Sequence, residues 1–186
     1  MSRFTVEQTQ VAGLQLIQRK PMGDERGHLE RLFCTRDLEP LIGDRGIVQS
    51  NHTLTAKAGT VRGMHFQHPP YAEMKLVSCL RGKVFDVTVD LRKDSPTFLQ
   101  WHRVILSEEK HSTLCIPEGF AHGFQTLTED CELIYLHTAA YAPDAEAGLN
   151  ALDPRLAIAW PMPVLERSAR DQQHANLTSD FSGLSL

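Results

Sequence analysis

The chain has 186 residues, 41% of them hydrophobic and 23% charged, which is ordinary for one soluble globular domain with a sizeable core. The formal net charge of -4 argues against a general nucleic-acid binder but is compatible with a local basic pocket for a phosphorylated small molecule. No apolar run approaches the roughly 20 residues that span a bilayer, and the first seven residues lack the apolar core of a signal peptide. We therefore expect a cytoplasmic protein whose partners include neither nucleic acid nor a membrane.

Short strands separated by turns dominate the pattern. Residues 83–91 are the clearest case, with apolar side chains at the odd positions from 85 and with Asp86, Thr88 and Asp90 on the other face. Many short strands at roughly 8–12-residue spacing predict an all-β sandwich or barrel. The predicted strands are 13–17, 28–33, 47–54, 75–80, 83–91, 102–106, 112–116, 123–127 and 132–136.

Helical signals are weak and confined to two short segments. Residues 35–39 predict one turn that ends before Pro40, and residues 167–174 predict another with Ser168 as its cap. The sequence shows no internal linker or repeat, so we expect a single domain over 1–186. Its polar, serine-rich tail from about 176 is expected to be loosely held.

The four cysteines form no Cys-x-x-Cys pair and lie among apolar or strand-like residues. Free, buried thiols are the expected state, because a reducing cytosol disfavours disulfides. Their wide spacing also argues against a zinc site built from all four. They are Cys34, Cys79, Cys115 and Cys131.

Two segments, 62–67 and 116–124, each place a histidine beside glycine in a strand-rich context. They contain His65 and His122. With Arg62 and Lys75 close in sequence, and a late Asp171, they suggest one cationic pocket that holds a proton-transfer base. Such a pocket suits an anionic substrate that bears a carbonyl group.

A metal site is one interpretation of these histidines. Residues 117–122 have the Pro-x-Gly-x-x-His form of the second motif of metal-binding jelly rolls, the cupins, and the candidate first motif is His65-x-x-His68 with Glu73. Residues three apart on a continuous strand point to opposite faces, so His65 and His68 cannot easily bind one ion. A metal-dependent enzyme that uses His65, His122 and Glu73 is therefore the runner-up.

Acid–base chemistry is the other interpretation. Histidine has the unperturbed pKa nearest neutrality and can remove a proton next to a carbonyl, more effectively when a carboxylate orients its ring. The resulting enolate needs a cation or a hydrogen-bond donor. Returning the proton to the opposite face needs a separate acid, for which a tyrosine is suitable. The chain offers Tyr71, Tyr135 and Tyr141.

In order and spacing, many stretches resemble the dTDP-4-dehydrorhamnose 3,5-epimerase family over about residues 23–171. Examples are Gly-Asp-Glu-Arg-Gly at 23–27, Gln-Ser-Asn-His at 49–52, Arg-Gly-Met-His-Phe-Gln at 62–67, and Ile-Pro-Glu-Gly-Phe-Ala-His-Gly-Phe at 116–124. The resemblance implies a cupin-like double-stranded β-helix jelly roll with a few short helices. It also implies a metal-independent epimerase of a nucleotide-linked 4-keto-6-deoxyhexose that uses no cofactor and forms a homodimer. In such dimers the N-terminal region of one subunit completes the neighbour's site.

The resemblance also implies roles for individual residues. His65 matches the general base, Asp171 its carboxylate partner, Lys75 the lysine that stabilises the enolate, and Tyr135 the acid on the opposite face. Tyr141 matches the tyrosine that stacks on the nucleotide base. Arg62 and His122 match residues that contact the sugar or diphosphate, and Arg26, Gln49 and Asn51 match residues that contact the nucleotide.

The sequence departs from the family in two places. Leu29 replaces a usual aromatic residue and Arg31 a usual glutamate in the segment that helps hold the nucleotide, while Ala140 replaces one of two adjacent tyrosines. The first change leaves the nucleotide base open, and the second leaves open whether one or both of carbons 3 and 5 epimerise. The configuration of the product and the pathway served are open too. Besides the metal-dependent enzyme, the alternatives are a non-catalytic sugar-nucleotide-binding jelly roll and a ketoisomerase.

Overall fold

A computed structural model describes residues 2–186, and the main elements are thirteen strands and two helices. No helix within this range is long and apolar enough to cross a membrane. The first strands are β1 (Phe4–Gln8), β2 (Gln15–Arg19), β3 (Met22–Asp24), β4 (Gly27–Leu29), β5 (Gln49–Thr55), β6 (Val61–Gln67) and β7 (Lys75–Arg81). The others are β8 (Lys83–Asp90), β9 (Trp101–Ser107), β10 (Ser112–Ile116), β11 (Phe120–Thr126), β12 (Cys131–His137) and β13 (Glu146–Gly148), with helices α1 (Thr35–Ile42) and α2 (Ala169–Gln173).

Two antiparallel sheets face each other. One has six strands in the order β1-β2-β10-β7-β12-β5, and the other has five in the order β13-β6-β11-β8-β9. Strands β3 and β4 form a separate hairpin. The prediction of an all-β fold of the jelly-roll type with a few short helices is confirmed.

The core between the sheets is apolar at one end. Val77 and Leu133 from the six-stranded sheet meet Val84, Leu106 and Phe124 from the five-stranded sheet there. Alternate residues of each strand point inward, so the same strands also supply the polar side chains of a cavity farther along.

The outer faces are buried as well. Leu38 and Ile42 of α1 cover the six-stranded sheet, and Phe85 of the five-stranded sheet lies beneath the chain that follows β13. The predicted alternation of β8 is therefore present with both faces buried: Asp86, Thr88 and Asp90 are fully buried on the inner face.

The C-terminal tail is packed more closely than its composition predicts. Leu177 and Leu184 are buried against the five-stranded sheet, and Phe181 packs beside them. The backbone N–H of Leu177 donates to the carboxylate of buried Asp153 at 2.5 Å. The tail thus forms part of the cover of this sheet, because three apolar residues anchor it between its serines.

Several predicted elements have different bounds in the structure, and two of them show the physical reason. The strand predicted over 28–33 ends at Leu29, because the side chain of Glu30 turns to Arg19 (2.8 Å) and His111 (3.0 Å). The helix expected to end before Pro40 continues to Ile42, because burial of Ile42 favours the extra residues. The Ser168 cap is confirmed, since its hydroxyl accepts a hydrogen bond from the Asp171 N–H at 3.0 Å.

A bulge brings two cavity residues of β6 to the same face. His65 pairs with His122 and Arg62 pairs with Phe124, so three steps on β6 match two on β11. The two strands come unusually close here, at Gly63 and Gly123. A Cβ added to Gly123 would lie 2.7 Å from the Arg62 carbonyl oxygen. Because the bulge adds one residue to β6, Arg62 and His65 both line the cavity although they are three residues apart.

Replacing Gly123 with alanine should destabilise the fold by about 1–3 kcal/mol, because the new methyl group overlaps backbone atoms that cannot move independently. Chemical denaturation would measure the change in the free energy of unfolding. Gly46→Ala is the matched control, since an added Cβ meets no atom within 4 Å there. Equal stabilities of the two variants would contradict the role of this contact.

Candidate active site

A cavity of about 450 Å³ opens between the two sheets, a size suited to a small-molecule ligand. Its walls come from β5, β7 and β12 of one sheet and from β6 and β11 of the other. Eight residues predicted from the sequence line it: Gln49, Asn51, Arg62, His65, Lys75, His122, Tyr135 and Tyr141.

Asp171 lies directly behind the cavity, where it contacts His65. Its Oδ1 atom is 2.7 Å from Nε2 of His65, and its Oδ2 atom accepts a hydrogen bond from the Gly63 N–H at 3.2 Å. The carboxylate is almost completely buried, whereas the imidazole is partly open to the cavity. The predicted pairing of His65 with Asp171 is thus present in the structure.

The ionisation of Asp171 determines which nitrogen of His65 carries the proton. Burial raises the pKa of Asp171, but hydrogen bonds from His65, Gly63 and Ser168 outweigh it and lower the pKa to about 2. An ionised carboxylate can only accept, so His65 donates through Nε2–H. Neutral His65 therefore carries its lone pair on Nδ1, the atom available to take a proton.

Behind this pair lies His174, to which the sequence assigned no role. Its ring meets the His65 ring edge to face at 5.7 Å and contacts Gly148. Burial, followed by the charge of His65, lowers the pKa of His174. A neutral His174 fills the space behind His65 without adding a second positive charge.

Lys75 reaches the cavity from the other sheet. Its Nζ atom lies 3.2 Å from Oε1 of Glu73 and 3.5 Å from the carbonyl oxygen of His65. His137 Nδ1 lies 2.9 Å from the other oxygen of Glu73. Burial raises the pKa of Glu73, but its contacts with His137 and Lys75 outweigh this and leave the pKa lowered.

Tyr135 also projects from the six-stranded sheet, between two histidines. Its ring lies 5.9 Å from that of His122 and 6.0 Å from that of His137. Burial raises the pKa of Tyr135 well above its usual value, and the nearby charge of Asp86 adds to the effect. The phenol therefore holds its proton at neutral pH.

His122 belongs to a second histidine–carboxylate pair. Its Nε2 atom lies 2.9 Å and 3.0 Å from the two oxygens of Asp86. Burial raises the pKa of Asp86, because this fully buried carboxylate has few partners. The pair fixes the direction of the imidazole at the floor of the cavity.

Tyr141 stands at the mouth of the cavity. Its hydroxyl donates to Glu146 at 2.7 Å, and Arg170 donates to the same carboxylate oxygen at 2.7 Å. Its backbone N–H donates to Gln49 at 2.9 Å. Ala140 stands where the family has a second tyrosine. It offers no phenol, and its backbone carbonyl oxygen accepts a hydrogen bond from the Gln67 side chain at 3.3 Å.

Arg26 is the one predicted binding residue that lies outside the cavity of its own chain. It sits on the β3–β4 hairpin, where it is ion-paired with Asp24 and highly exposed. Leu29 on the same hairpin is exposed, and Arg31 pairs with Asp37 at 3.2 Å. The segment in which the sequence departs from the family thus forms an exposed surface.

The ligand set of the alternative metal site is not assembled. His65 and His122 each bind their own carboxylate, and Glu73 lies with Lys75 and His137. Over residues 2–186, two clusters place three potential ligand atoms close together: His28, Glu30 and His111, and His65, Asp171 and His174. Neither combines His65, His122 and Glu73.

Several other polar residues of the site had no role assigned from the sequence, among them four with carboxylate contacts or charge. His137 lies two residues from Tyr135 on one strand, a spacing that places both on the same face and could have revealed it. Asp86 stood out as polar in an apolar strand. Glu146 and Arg170 gave no signal in the pattern, because the short strand β13 and helix α2 bring them to the mouth.

Comparison with known proteins bears directly on this arrangement. The sequence profile described as dTDP-4-dehydrorhamnose 3,5-epimerase matches residues 8–179. The chain belongs to this family. It is therefore identified as an isomerase of the sugar-nucleotide epimerase class, as the sequence predicted.

Individual family members support the assignment. The dTDP-4-dehydrorhamnose 3,5-epimerase of Salmonella typhimurium is 44% identical over 168 residues, which cover 89% of this chain and 91% of that one. The crystal structure of the Legionella pneumophila enzyme in complex with dTDP-4-keto-L-rhamnose is 40% identical, with a TM-score of 0.88 and coverage of 93% and 92%. A 3'-monoepimerase from Streptomyces bikiniensis in complex with dTDP-quinovose is 32% identical, with a TM-score of 0.84 and coverage of 90% and 85%.

Asp171 makes stability depend on acid pH. Because the pKa is lowered from 3.8 to about 2, ionised Asp171 stabilises the fold above about pH 4, and this contribution is lost as pH falls towards 2. Asp171→Asn should cost about 2 kcal/mol at pH 7, since one pKa unit is about 1.4 kcal/mol. Denaturation at pH 7 and at pH 2.5 would measure the difference. It should shrink at the lower pH, whereas exposed Asp94→Asn should show little effect at either.

Proposed function

We propose that this epimerase converts dTDP-4-dehydro-6-deoxyglucose to dTDP-4-dehydrorhamnose by inverting carbons 3 and 5 next to the ketone. The observation that carries the proposal is the His65–Asp171 pair on one wall of the cavity, opposite Lys75 and Tyr135 on the other. Base and acid therefore approach from different sheets. Inversion needs this arrangement, because the proton leaves one face of the carbon and returns to the other.

His65 starts the reaction as the general base. Its Nδ1 atom takes the proton from the carbon beside the ketone, and Asp171 stabilises the imidazolium that forms. The electron pair moves to the ketone oxygen, where the Lys75 ammonium stabilises the enolate. These two groups act together, because histidine can abstract such a proton only when the enolate is stabilised.

Tyr135 completes the inversion as the acid. The raised pKa of Tyr135 keeps its phenol protonated until the enolate carbon accepts the proton. The resulting phenolate lies in a cavity that also holds Arg62, whose charge favours the anion. The imidazolium and phenolate return to their starting states by proton exchange with solvent.

The nucleotide end is assigned to the mouth of the cavity. Tyr141 offers an exposed aromatic face for the base, held by the bond from its hydroxyl to Glu146. Gln49 and Asn51 have side-chain amides that can contact the nucleotide, and Arg62 and His122 also line the cavity, where they can contact the diphosphate or sugar. Epimerisation at both carbons is favoured over one because relatives of 42–44% identity are named 3,5-epimerases, whereas the named monoepimerase is 32% identical.

Proton NMR in deuterium oxide with dTDP-4-keto-6-deoxyglucose tests this function. We expect deuterium at both carbons 3 and 5 and a rhamno-configured product. Incorporation at carbon 3 alone would replace the proposal with a mono-epimerase. Binding without exchange at either carbon would contradict catalysis on this substrate and favour a binding protein.

Two variants test the assigned roles in the same assay. His65→Ala should abolish exchange, because His65 both pairs with Asp171 and lines the cavity, whereas nearby His174 lies behind it. Tyr135→Phe should slow formation of inverted product by about 10²-fold or more while affecting proton abstraction less. Equal slowing of both steps would show that Tyr135 is not the acid.

A homodimer is also part of the proposal. The β3–β4 hairpin carries Arg26 away from its own cavity and exposes Leu29 and Met22, which is what a hairpin that completes a neighbouring site requires. The family resemblance implies the same arrangement. In this dimer Arg26 of one subunit contacts the nucleotide bound to the other.

Mixing two inactive variants tests the dimer. In a mixed dimer of Arg26→Ala with His65→Ala, one site contains both native residues, so activity should exceed the average of the separate variants. If Arg26 served its own subunit, mixing and reassembly would give only that average. Arg36→Ala is the control, because its side chain is as exposed as that of Arg26 and lies outside the hairpin.

A further inference from the structure

Glu73 and His137 are two buried, ionisable residues of the cavity to which the proposed mechanism gives no role. Their side chains are 8% and 9% exposed, and that of Lys75 is 10% exposed. A buried ammonium is costly unless a counter-charge and hydrogen bonds compensate for the water that it has lost. The contacts of Lys75 therefore decide where its ammonium group lies in the cavity.

The Lys75 ammonium has three N–H groups, and residues 2–186 offer it two acceptors. Glu73 Oε1 lies at 3.2 Å and the His65 carbonyl oxygen at 3.5 Å, which leaves a third N–H for a ligand. Both acceptors lie at the edge of the cavity, so together they hold the ammonium beside the base. Without Glu73, the flexible lysine side chain would lose its closer acceptor.

The backbone holds Glu73 and His137 in place. His137 and Lys75 are direct partners in the β12–β7 ladder. The ladder continues past the strand ends: the Met74 N–H donates to the Thr138 hydroxyl at 2.9 Å, and the Thr138 N–H donates to the Met74 carbonyl at 3.1 Å. Glu73 precedes this junction, which directs its carboxylate between the two side chains.

His137 acts as a hydrogen-bond donor in this arrangement. Its Nδ1 atom lies 2.9 Å from Glu73 Oε2, and since the carboxylate only accepts, the proton is on Nδ1. Its Nε2 atom lies 3.4 Å from the Asn51 side-chain nitrogen, which can donate to it. Gln49 in turn donates to Asn51 at 3.2 Å and accepts from the Tyr141 N–H.

We propose that Glu73 and His137 are positioning residues for Lys75: His137 orients the Glu73 carboxylate, and Glu73 holds the ammonium at the place where the enolate oxygen forms. The inference rests on the proposed epimerase function. The hydrogen bonds run from Tyr141 through Gln49, Asn51 and His137 to Glu73, so residues at the nucleotide end also support the lysine. Binding of the nucleotide thereby helps to order the group that stabilises the transition state.

Steady-state kinetics with dTDP-4-keto-6-deoxyglucose test this role. Glu73→Gln and His137→Leu should lower kcat by about 10- to 100-fold with little change in KM, the effect typical of losing an orienting partner. His137→Asn should recover most of the activity, because its amide can donate near the position of Nδ1. His52→Leu is the matched control: His52 forms a histidine–glutamate pair with Glu132 across β5 and β12 that is exposed and outside the cavity.

The outcomes separate this inference from the proposed function. A wild-type kcat in both Glu73→Gln and His137→Leu, or a change in KM alone, would overturn the positioning role while leaving the epimerase intact. His137→Asn as slow as His137→Leu would also overturn it, since the imidazole would then do more than donate a hydrogen bond. Glu73→Gln preserves side-chain volume, so it gives the answer even if His137→Leu fails to fold. A wild-type protein that exchanges no deuterium would overturn the proposed function and this inference with it.

Discussion

The buried carboxylate of Asp171 is the constraint on which the site depends. Burying a charge is unfavourable unless hydrogen bonds replace its water, and Asp171 obtains these from the Gly63 backbone and from His65. Ser168 meanwhile binds the backbone N–H of Asp171 and so fixes the start of α2. One residue thereby ties the C-terminal segment to the bulged strand β6 and orients the His65 ring. The chain after β13 packs against the outer face of the five-stranded sheet.

The two sheets contribute different chemical groups to the cavity. The five-stranded sheet supplies His65, Arg62 and His122, and the six-stranded sheet supplies Lys75 and Tyr135. An antiparallel sandwich suits this division, because every second residue of each strand faces the other sheet. The apolar end of the core holds the sheets apart at a fixed distance, so groups on opposite walls can approach opposite faces of one sugar ring.

Three histidines of the cavity each lie against a carboxylate, and the carboxylates differ in their electrostatics. The pKa values of Asp171 and Glu73 are lowered because several donors outweigh the effect of burial, whereas the pKa of Asp86 is raised because burial dominates. The number of hydrogen-bond donors around each carboxylate accounts for the difference. The two carboxylates with lowered pKa values are the ones that contact His65 and Lys75, where a negative charge supports the imidazole and the ammonium group. At His122 the pair serves mainly to fix the ring.

The sequence alone determined the all-β class, most strands to within a few residues, the Ser168 cap and the family, because alternation, turn residues and ordered motifs are local properties of the chain. It also supplied His65, Lys75, Tyr135 and Asp171 as a set. Only the tertiary structure decided that a bulge brings Arg62 beside His65, that the tail is packed, and that Arg26 lies outside its own cavity. It alone placed His137 and Glu73 around Lys75 and joined Glu146 to Arg170 at the mouth. These arrangements depend on contacts between residues far apart in sequence, and no local pattern of side chains encodes which distant groups will meet.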